Sequence, residues 1–152
     1  MCLATLHTNN AYQSVERIVN MFPEEYHSQI RLNLSTNLKA IISQRLVASK
    51  QGSGTMAIEI LLNQGLVREL IQTGEISKIR DVMAQNNPLG MCIFDQSLFR
   101  LLKDGMITEE VALSQADQPG DLRIKIQQLK LGGVGKGESL NKLDTSLLSI
   151  SD

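Results

Sequence analysis

The sequence is poor in aromatic residues and cysteines, and neither sign of charge dominates it. Tryptophan is absent and aromatic residues make up only 3% of the chain, so the core has to be built from Leu, Ile, Val and Met. The two cysteines, Cys2 and Cys92, lie far apart without the spacing of zinc ligands, which argues against a structural zinc site. We expect both thiols to be reduced, as in an intracellular protein.

Charge and hydropathy narrow the classes of partner. A formal net charge of −1 provides no basic field for nucleic acid or an anionic membrane. Apolar runs are too short for a membrane span, and the first residues lack the features of a signal peptide. With 152 residues and 42% hydrophobic content, the chain is predicted to be a globular, cytoplasmic protein with no nucleic-acid partner.

The first part of the chain is predicted to contain a strand followed by a helix. Residues 2–7 are largely apolar and predict a short buried strand that ends at His7. Asn9 or Asn10 is a suitable N-cap for the helix that follows, because a short side-chain acceptor satisfies its first backbone N–H groups. Pro23 is expected to end that helix and open the next.

A long helix and a hairpin are expected next. Helical periodicity predicts one apolar stripe from Glu24 to about Ile42. Residues 44–48 and 56–62 predict two strands joined by the glycine-bearing link 50–54. In the second strand, alternation places Glu59 opposite a face formed by Met56, Ile58, Ile60 and Leu62.

Only helices are predicted after Gly65. Breaks are expected near Gly74, at Asn87-Pro88 and at Gly105, with Thr108 capping a later helix. The last helix is predicted over 121–131, and the Gly- and Ser-rich tail from residue 132 is predicted to be flexible. The expected fold class is therefore α/β, mostly α.

One stretch of the tail superficially matches a phosphate-binding loop. The run Gly132–Ser139 contains glycines and a lysine, but the motif needs Gly, four residues, and then Gly-Lys-Ser/Thr between a strand and a helix. A helix is predicted before this run, and Gly137 stands where the motif requires Ser or Thr. We interpret the run as a linker and expect no cofactor or metal to be bound by this chain.

His7 is the main candidate for chemistry, and two interpretations of it stay open on the residues alone. A histidine at the end of a strand is commonly a hydrogen-bonded structural residue. The alternative is a polar group delivered to a site at the carboxyl edge of a sheet. His27 lies within the predicted second helix, at the margin of its apolar stripe, and we interpret it as structural.

Several separated motifs resemble the secretion-ATPase superfamily, whose members are hexameric RecA-like motors of type IV pili and type II secretion. The resemblance spans residues 2 to about 131. It rests on Thr5-Leu6-His7-Thr8-Asn9-x-Ala11, Arg17-Ile18-Val19, Phe22-Pro23, Ile42-Ser43-Gln44-Arg45-Leu46, Ala57-Ile58-Glu59-Ile60-Leu61, Val67-Arg68-Glu69-Leu70-Ile71, Leu89-Gly90-Met91 and Phe94-Asp95-Gln96. The first of these is similar to the histidine box of that superfamily.

Two features place the resemblance among twitching-motility retraction ATPases. Extension and secretion members carry a four-cysteine zinc loop where this chain has the short link 50–54. The segment Val67, Arg68, Glu69, Leu70, Ile71 resembles the retraction-associated helix motif, with Glu69 where many members have Asn. That replacement favours the accessory type of retraction ATPase, without excluding the main type.

The resemblance implies a partial RecA-like P-loop NTPase domain with a truncated sheet, followed by a helical bundle. It divides the chain into 1–63 as part of the ATPase core, 65–131 as a helical C-terminal domain, and 132–152 as a flexible tail. His7 would sense the γ-phosphate of ATP in an intact motor, whereas Gly90 and Met91 belong to a further family motif. ATP and Mg²⁺ would be cofactors of the full-length parent.

The family segments that hold nucleotide are not in this sequence. The PAS-like domain with its arginine fingers, the Walker A loop, the acidic box and the Walker B segment all precede the histidine box in the family. We therefore expect a C-terminal fragment, either a truncated gene product or a gene-model fragment, that does not hydrolyse ATP alone.

The resemblance also implies partners and a location. The expected partners are other copies in a hexamer, the partner retraction ATPase, and the inner-membrane pilus platform protein, which places the chain at the cytoplasmic side of the inner membrane. The alternative function is a non-enzymatic interaction module that docks on an intact motor or on the platform protein. A helical domain unrelated to motors is a third hypothesis.

Overall fold

The computed structural model describes residues 2–85 and 89–134, with side chains through residue 131. The fold is mixed α/β and mostly helical, which confirms the predicted fold class. The α-helices and strands are α1 (Ala11–Asn20), α2 (His27–Asn37), β1 (Ala40–Ala48), β2 (Gly54–Leu62), α3 (Leu66–Thr73), α4 (Ile79–Gln85), α5 (Phe94–Lys103), α6 (Glu109–Gln115) and α7 (Pro119–Val134).

Helix α1 begins as predicted, and Asn10 is the residue that caps it. Asn10 has an extended backbone, and its Oδ1 accepts a hydrogen bond from the Gln13 amide at 3.0 Å. This bond satisfies one of the amides that has no partner inside the helix. Pro23 precedes a single 3-10 turn, Glu24–Tyr26, and so separates α1 from α2.

The strand predicted at residues 2–7 is wrong. Residues 2–7 form no strand in the described part of the chain, and their side chains are exposed. Apolar composition alone predicted this element, but a strand is completed by backbone hydrogen bonds to a neighbour. The only sheet in the described residues is formed by β1 and β2, which pair with each other.

The second helix ends at Asn37, five residues before the predicted end. The side chain of Asn63, which is 5% exposed, donates hydrogen bonds to the carbonyls of Leu34, Ser35 and Leu38. These acceptors lie at the C-terminus of α2, where backbone carbonyls lack partners within the helix. A residue 26 positions away from the helix end therefore terminates it, which helical periodicity does not reveal.

The hairpin is confirmed and is longer than predicted. Strands β1 and β2 are antiparallel, with Cα partners from Ala40↔Leu62 to Ala48↔Gly54. Gly52 in the connection has a φ of 81°, a left-handed conformation that glycine adopts without a steric penalty. Helices α1, α5 and α6 pack against this hairpin.

The buried face of β2 is the one that carries Glu59. Ala57, Glu59 and Leu61 are buried, whereas Met56 on the other face is 50% exposed. The predicted alternation, with Glu59 opposite Met56, Ile58, Ile60 and Leu62, is confirmed, and a face with a carboxyl group would ordinarily be the exposed one. The structure instead encloses this carboxyl group, which makes it the most unusual residue of the hairpin.

The C-terminal half is helical, as predicted. Gly74 ends α3 with a φ of 85°, and the Thr108 hydroxyl accepts a hydrogen bond from the Val111 amide at the start of α6. Helix α7 starts at Pro119 and continues through Val134, beyond its predicted end. The predicted break at Asn87-Pro88 and the rest of the tail, 135–152, lie outside the described residues.

Two apolar clusters make up the core. The first joins α1 to helices α3 and α4 and includes Leu61 of β2, and the second joins α5, α6 and α7 to Val47 and Ala57 of the hairpin. Each cluster contains residues from both 1–63 and 65–131. The division of the chain into those two domains remains a prediction.

Glu59 is a carboxyl group inside this core. It is 2% exposed, and its Oε2 accepts a long hydrogen bond of 3.4 Å from the Ala11 amide. Burial raises the pKa of Glu59 from 4.5 to about 7, and the carboxylate of Asp117 adds to the rise. The Ala11 hydrogen bond and the cations Arg45 and Arg80 act in the opposite direction and lower this pKa.

The raised pKa of Glu59 predicts a pH-dependent free energy of unfolding. A carboxyl group whose pKa is higher in the folded protein stabilises it below pH 4.5, and this contribution is lost as the pH rises through 7. The loss amounts to about 3 kcal/mol at most. Glu59→Gln, which stays neutral, should become the more stable variant at pH 8 in urea unfolding.

The control for this prediction is the exposed Glu16, on α1. Glu16→Gln should follow the pH dependence of the unsubstituted protein over the whole window from pH 4.5 to pH 8. If Glu59→Gln also follows it, the carboxyl group of Glu59 does not titrate with a raised pKa and the interpretation is wrong.

Candidate functional site

His7 lies in the exposed run that leads into α1, and the residues after it are anchored. The Thr8 hydroxyl and the Ser14 hydroxyl are hydrogen-bonded at 2.6 Å. The Asn9 carbonyl accepts a hydrogen bond from Nη2 of Arg45 at 3.2 Å, and Asn10 caps α1. The imidazole of His7 is therefore exposed on a segment whose C-terminal end is held at three successive residues.

Arg45 joins that segment to the connection between α6 and α7. Its Nη1 donates to the Gln115 carbonyl, and its Nη2 lies 3.1 Å from Oδ1 of Asp117. The guanidinium carbon also lies 4.2 Å from the centre of the Phe94 ring, a cation–π arrangement. One side chain of β1 thus contacts the segment before α1, the first residue of α5, and the α6–α7 connection.

Asp95 organises the same connection from the other side. Its side chain is buried, and its two oxygens accept hydrogen bonds from the amides of Asp117 at 2.7 Å and Gln118 at 3.1 Å. Nη2 of Arg80 on α4 donates to Oδ2 of Asp95 at 3.0 Å. Backbone amides and a guanidinium therefore compensate the buried charge, as burial of a carboxylate requires.

We refer to Arg45, Glu59, Arg80, Asp95 and Asp117 as the polar junction. It combines two guanidinium groups with three carboxyl groups, one of which, Glu59, has the raised pKa described above. The junction contains no serine, cysteine or histidine that could act as a nucleophile beside a base. Its contacts connect elements of the fold, so its chemistry is that of a positioning network.

The candidate helix motif of α3 has two different faces. Val67, Leu70 and Ile71 are buried in the first apolar cluster, whereas Arg68 and Glu69 are exposed. The apolar positions therefore hold α3 in place and leave the two charged side chains at the surface. Their role in retraction remains a prediction.

Gly90, Met91 and His27, the other residues singled out from the sequence, have structural surroundings. Gly90 has a φ of 89°, which a residue with a side chain rarely adopts, and Met91 is 2% exposed in the core. His27 bonds to the Phe22 carbonyl through Nε2 at 2.8 Å, in keeping with a structural role. Among the described residues, none form a cluster of His, Cys, Asp and Glu placed to hold a metal ion.

Sequence reasoning missed the polar junction. Arg45, Glu59 and Asp95 each lie within a quoted motif, but none of them was proposed as a site residue. The available signal was a charged residue inside an otherwise apolar motif, as in Ala57-Ile58-Glu59-Ile60-Leu61. Such residues occupy buried positions only when they have partners, so a search for those partners would have been justified.

Cys2 is exposed and Cys92 is buried, and the two thiols are not joined in a disulfide. In the part of the chain that the structure describes, no helix has both the length and the apolar character needed to cross a membrane.

Comparisons with known proteins all point to the same family. The family described as type II/IV secretion system protein matches residues 1–73. The type IV pilus ATPase PilU of Pseudomonas aeruginosa is 45% identical over 154 aligned residues, which include 100% of this chain and 40% of that protein. A twitching motility protein of Neisseria gonorrhoeae is 38% identical over 117 residues, or 76% of this chain and 31% of that protein.

A solved structure agrees with these relatives. The crystal structure of the pilus retraction motor PilT with bound ADP superposes with a TM-score of 0.70 and 34% identity, covering 78% of this chain and 33% of that chain. The chain therefore spans well under half the length of the relatives it matches. It belongs to the type II/IV secretion system protein family, within the group of type IV pilus ATPases that includes PilT and PilU.

Proposed function

We propose that these residues form the C-terminal part of an ATP-hydrolysing hexameric motor that retracts type IV pili, of the accessory, PilU-like type. The observation that carries the proposal is the 45% identity to PilU along 100% of the chain. The superposition on PilT, a retraction motor with bound ADP, supports the same assignment. The segment with His7 lies within the family match and ends in the anchored start of α1.

The residues of this chain fit only one part of a nucleotide site. Binding of ATP phosphates needs backbone amides of a glycine-rich loop, a lysine and Mg²⁺, and the sequence has no Gly-x-x-x-x-Gly-Lys-Ser/Thr motif. The group that this chain would contribute is the exposed imidazole of His7. In the motor this imidazole would contact the γ-phosphate and respond to its hydrolysis, while the groups that bind the phosphates would come from other segments.

The motor is proposed to act at the inner membrane. In this account its subunits assemble with one another or with a partner retraction ATPase, and they act on an inner-membrane platform protein from the cytoplasm. The exposed Arg68 and Glu69 of α3 are the residues we assign to the retraction function, because Val67, Leu70 and Ile71 hold that helix in the core.

A polypeptide of these 152 residues should show no Mg²⁺-dependent ATP hydrolysis above background. The reason is that preorganised phosphate contacts and the metal supply most of the lowering of the barrier in phosphoryl transfer. Release of phosphate from ATP is the measurement, with full-length PilU as the positive control. Turnover comparable to that of PilU would contradict this prediction and show that the chain has a complete nucleotide-binding site of its own.

The alternative function is a non-enzymatic module that docks on an intact motor, and the same sample tests it. The feature that favours it is the exposed charged pair of α3. Binding of the inactive polypeptide to full-length PilT or PilU in a pull-down, lost in Arg68→Ala, would support the module. Absence of binding would leave only the motor fragment.

The sensor role of His7 requires a complete motor for its test. In PilU whose matched region is replaced by this chain, His7→Gln should lower kcat for ATP hydrolysis by about 100-fold, since one contact to the transition-state charge is lost. His27→Gln is the matched control, because His27 bonds to the Phe22 carbonyl, and its kcat should be unchanged. Equal rates in the two variants would remove His7 from the mechanism.

A further inference from the structure

Arg45 contacts two segments that are remote from it in sequence. The Asn9 carbonyl is 36 residues away, and Asp117 is 72 residues away. The side chains of Arg45 and Asp117 are 22% and 24% exposed, so this ion pair is partly shielded from solvent. A pair of this kind is less screened than one at the surface.

The guanidinium group is suited to hold both segments at once. It is planar and carries five N–H donors in a fixed fork, so its acceptors have to lie in defined directions. Two acceptors are backbone carbonyls, of Asn9 and Gln115, and the third is the Asp117 carboxylate. The Phe94 ring, 4.2 Å from the guanidinium carbon, holds the plane of the group.

The α6–α7 connection is itself tightly held. Asp95 accepts the amides of Asp117 and Gln118, and α7 begins at the next residue, Pro119. Because Asp95 follows Phe94 on α5, movement of this connection involves α5 and α7 as well. The Asn9 carbonyl is therefore linked through Arg45 and Asp117 to the first turn of α5 and to the start of α7.

We propose that Arg45 is a positioning residue that couples the segment carrying His7 to helices α5, α6 and α7. Arg45 does not act on a nucleotide in this account. It fixes where the backbone two residues after His7 lies relative to the helices. The link from this coupling to ATP rests on the proposed function, whereas the coupling itself is a property of the described residues.

Amide hydrogen exchange, followed by NMR on the 152-residue chain, tests the coupling. The reporters are the amides of Gln13 and Ser14, which bond to Oδ1 and O of Asn10. Asp117→Ala, at the far side of the junction, should speed exchange of both amides by about fivefold or more. Asp121→Ala, an exposed acidic residue in the first turn of α7, is the matched control and should leave them unchanged.

The double variant separates coupling from local structural damage. In an Arg45→Met background, Asp117→Ala should change the exchange of Gln13 and Ser14 no further, because the connection has already been broken. Arg45→Lys, which keeps the charge without the fork, should show the same loss. It also serves as the background if Arg45→Met does not fold.

Two results would overturn the coupling, and two others concern only the link to ATP hydrolysis. Unchanged exchange rates of the Gln13 and Ser14 amides in Asp117→Ala would overturn the proposal. So would an Asp117→Ala effect on these rates that is as large in the Arg45→Met or Arg45→Lys background as it is with Arg45 present. If the coupling is present but His7→Gln has no effect on ATP hydrolysis in the PilU chimera, the positioning role of Arg45 stands and the proposed sensor role of His7 fails. If the coupling is present but the chimera itself does not hydrolyse ATP, the positioning role stands and the proposed motor function fails.

Discussion

The enclosure of two ionisable side chains on the inner face of the hairpin, Arg45 in part and Glu59 almost fully, is the constraint on which the arrangement of the helices depends. Arg45 on β1 and Glu59 on β2 both point into the protein, where an uncompensated charge would be costly. The partners of Arg45 come from the segment before α1 and from the end of α6 and the α6–α7 connection, and Glu59 accepts a hydrogen bond from the first residue of α1. Meeting this requirement brings together parts of the chain that are otherwise distant in sequence.

The two apolar clusters are consistent with this arrangement. A two-stranded hairpin is only marginally stable in water and needs a partner for one face. Helices α1, α5 and α6 provide that partner. Strand β2 contributes Leu61 to the first cluster and Ala57 to the second, and Glu59 lies between these two residues in the strand. Apolar packing thus supplies stability, and the junction fixes how the helices are placed.

Local features of the fold were largely predictable from sequence. The cap at Asn10, the stop at Gly74 and the cap at Thr108 depend on nearest neighbours, and all three are present. Non-local features were not predictable in this way. Helix α2 ends at Asn37 because Asn63 binds its terminal carbonyls, and residues 2–7 form no strand because pairing depends on a neighbour. The alternation along β2 was predictable, but which of its faces is buried was not, because the packing of helices selects it.

The candidate site shows the same division. His7 and the motif of α3 were identified by resemblance, while Arg45 and Asp95 acquire their roles only when remote acceptors are brought to them. The most direct measurement of the junction is the NMR signal of the Arg45 guanidinium group in the folded chain. The account predicts Nε and Nη protons shifted by the ring current of Phe94 and slow to exchange, unlike those of the exposed Arg123. Arg45 signals that coincide with those of Arg123 would show that the guanidinium group is free in solution and would contradict the account.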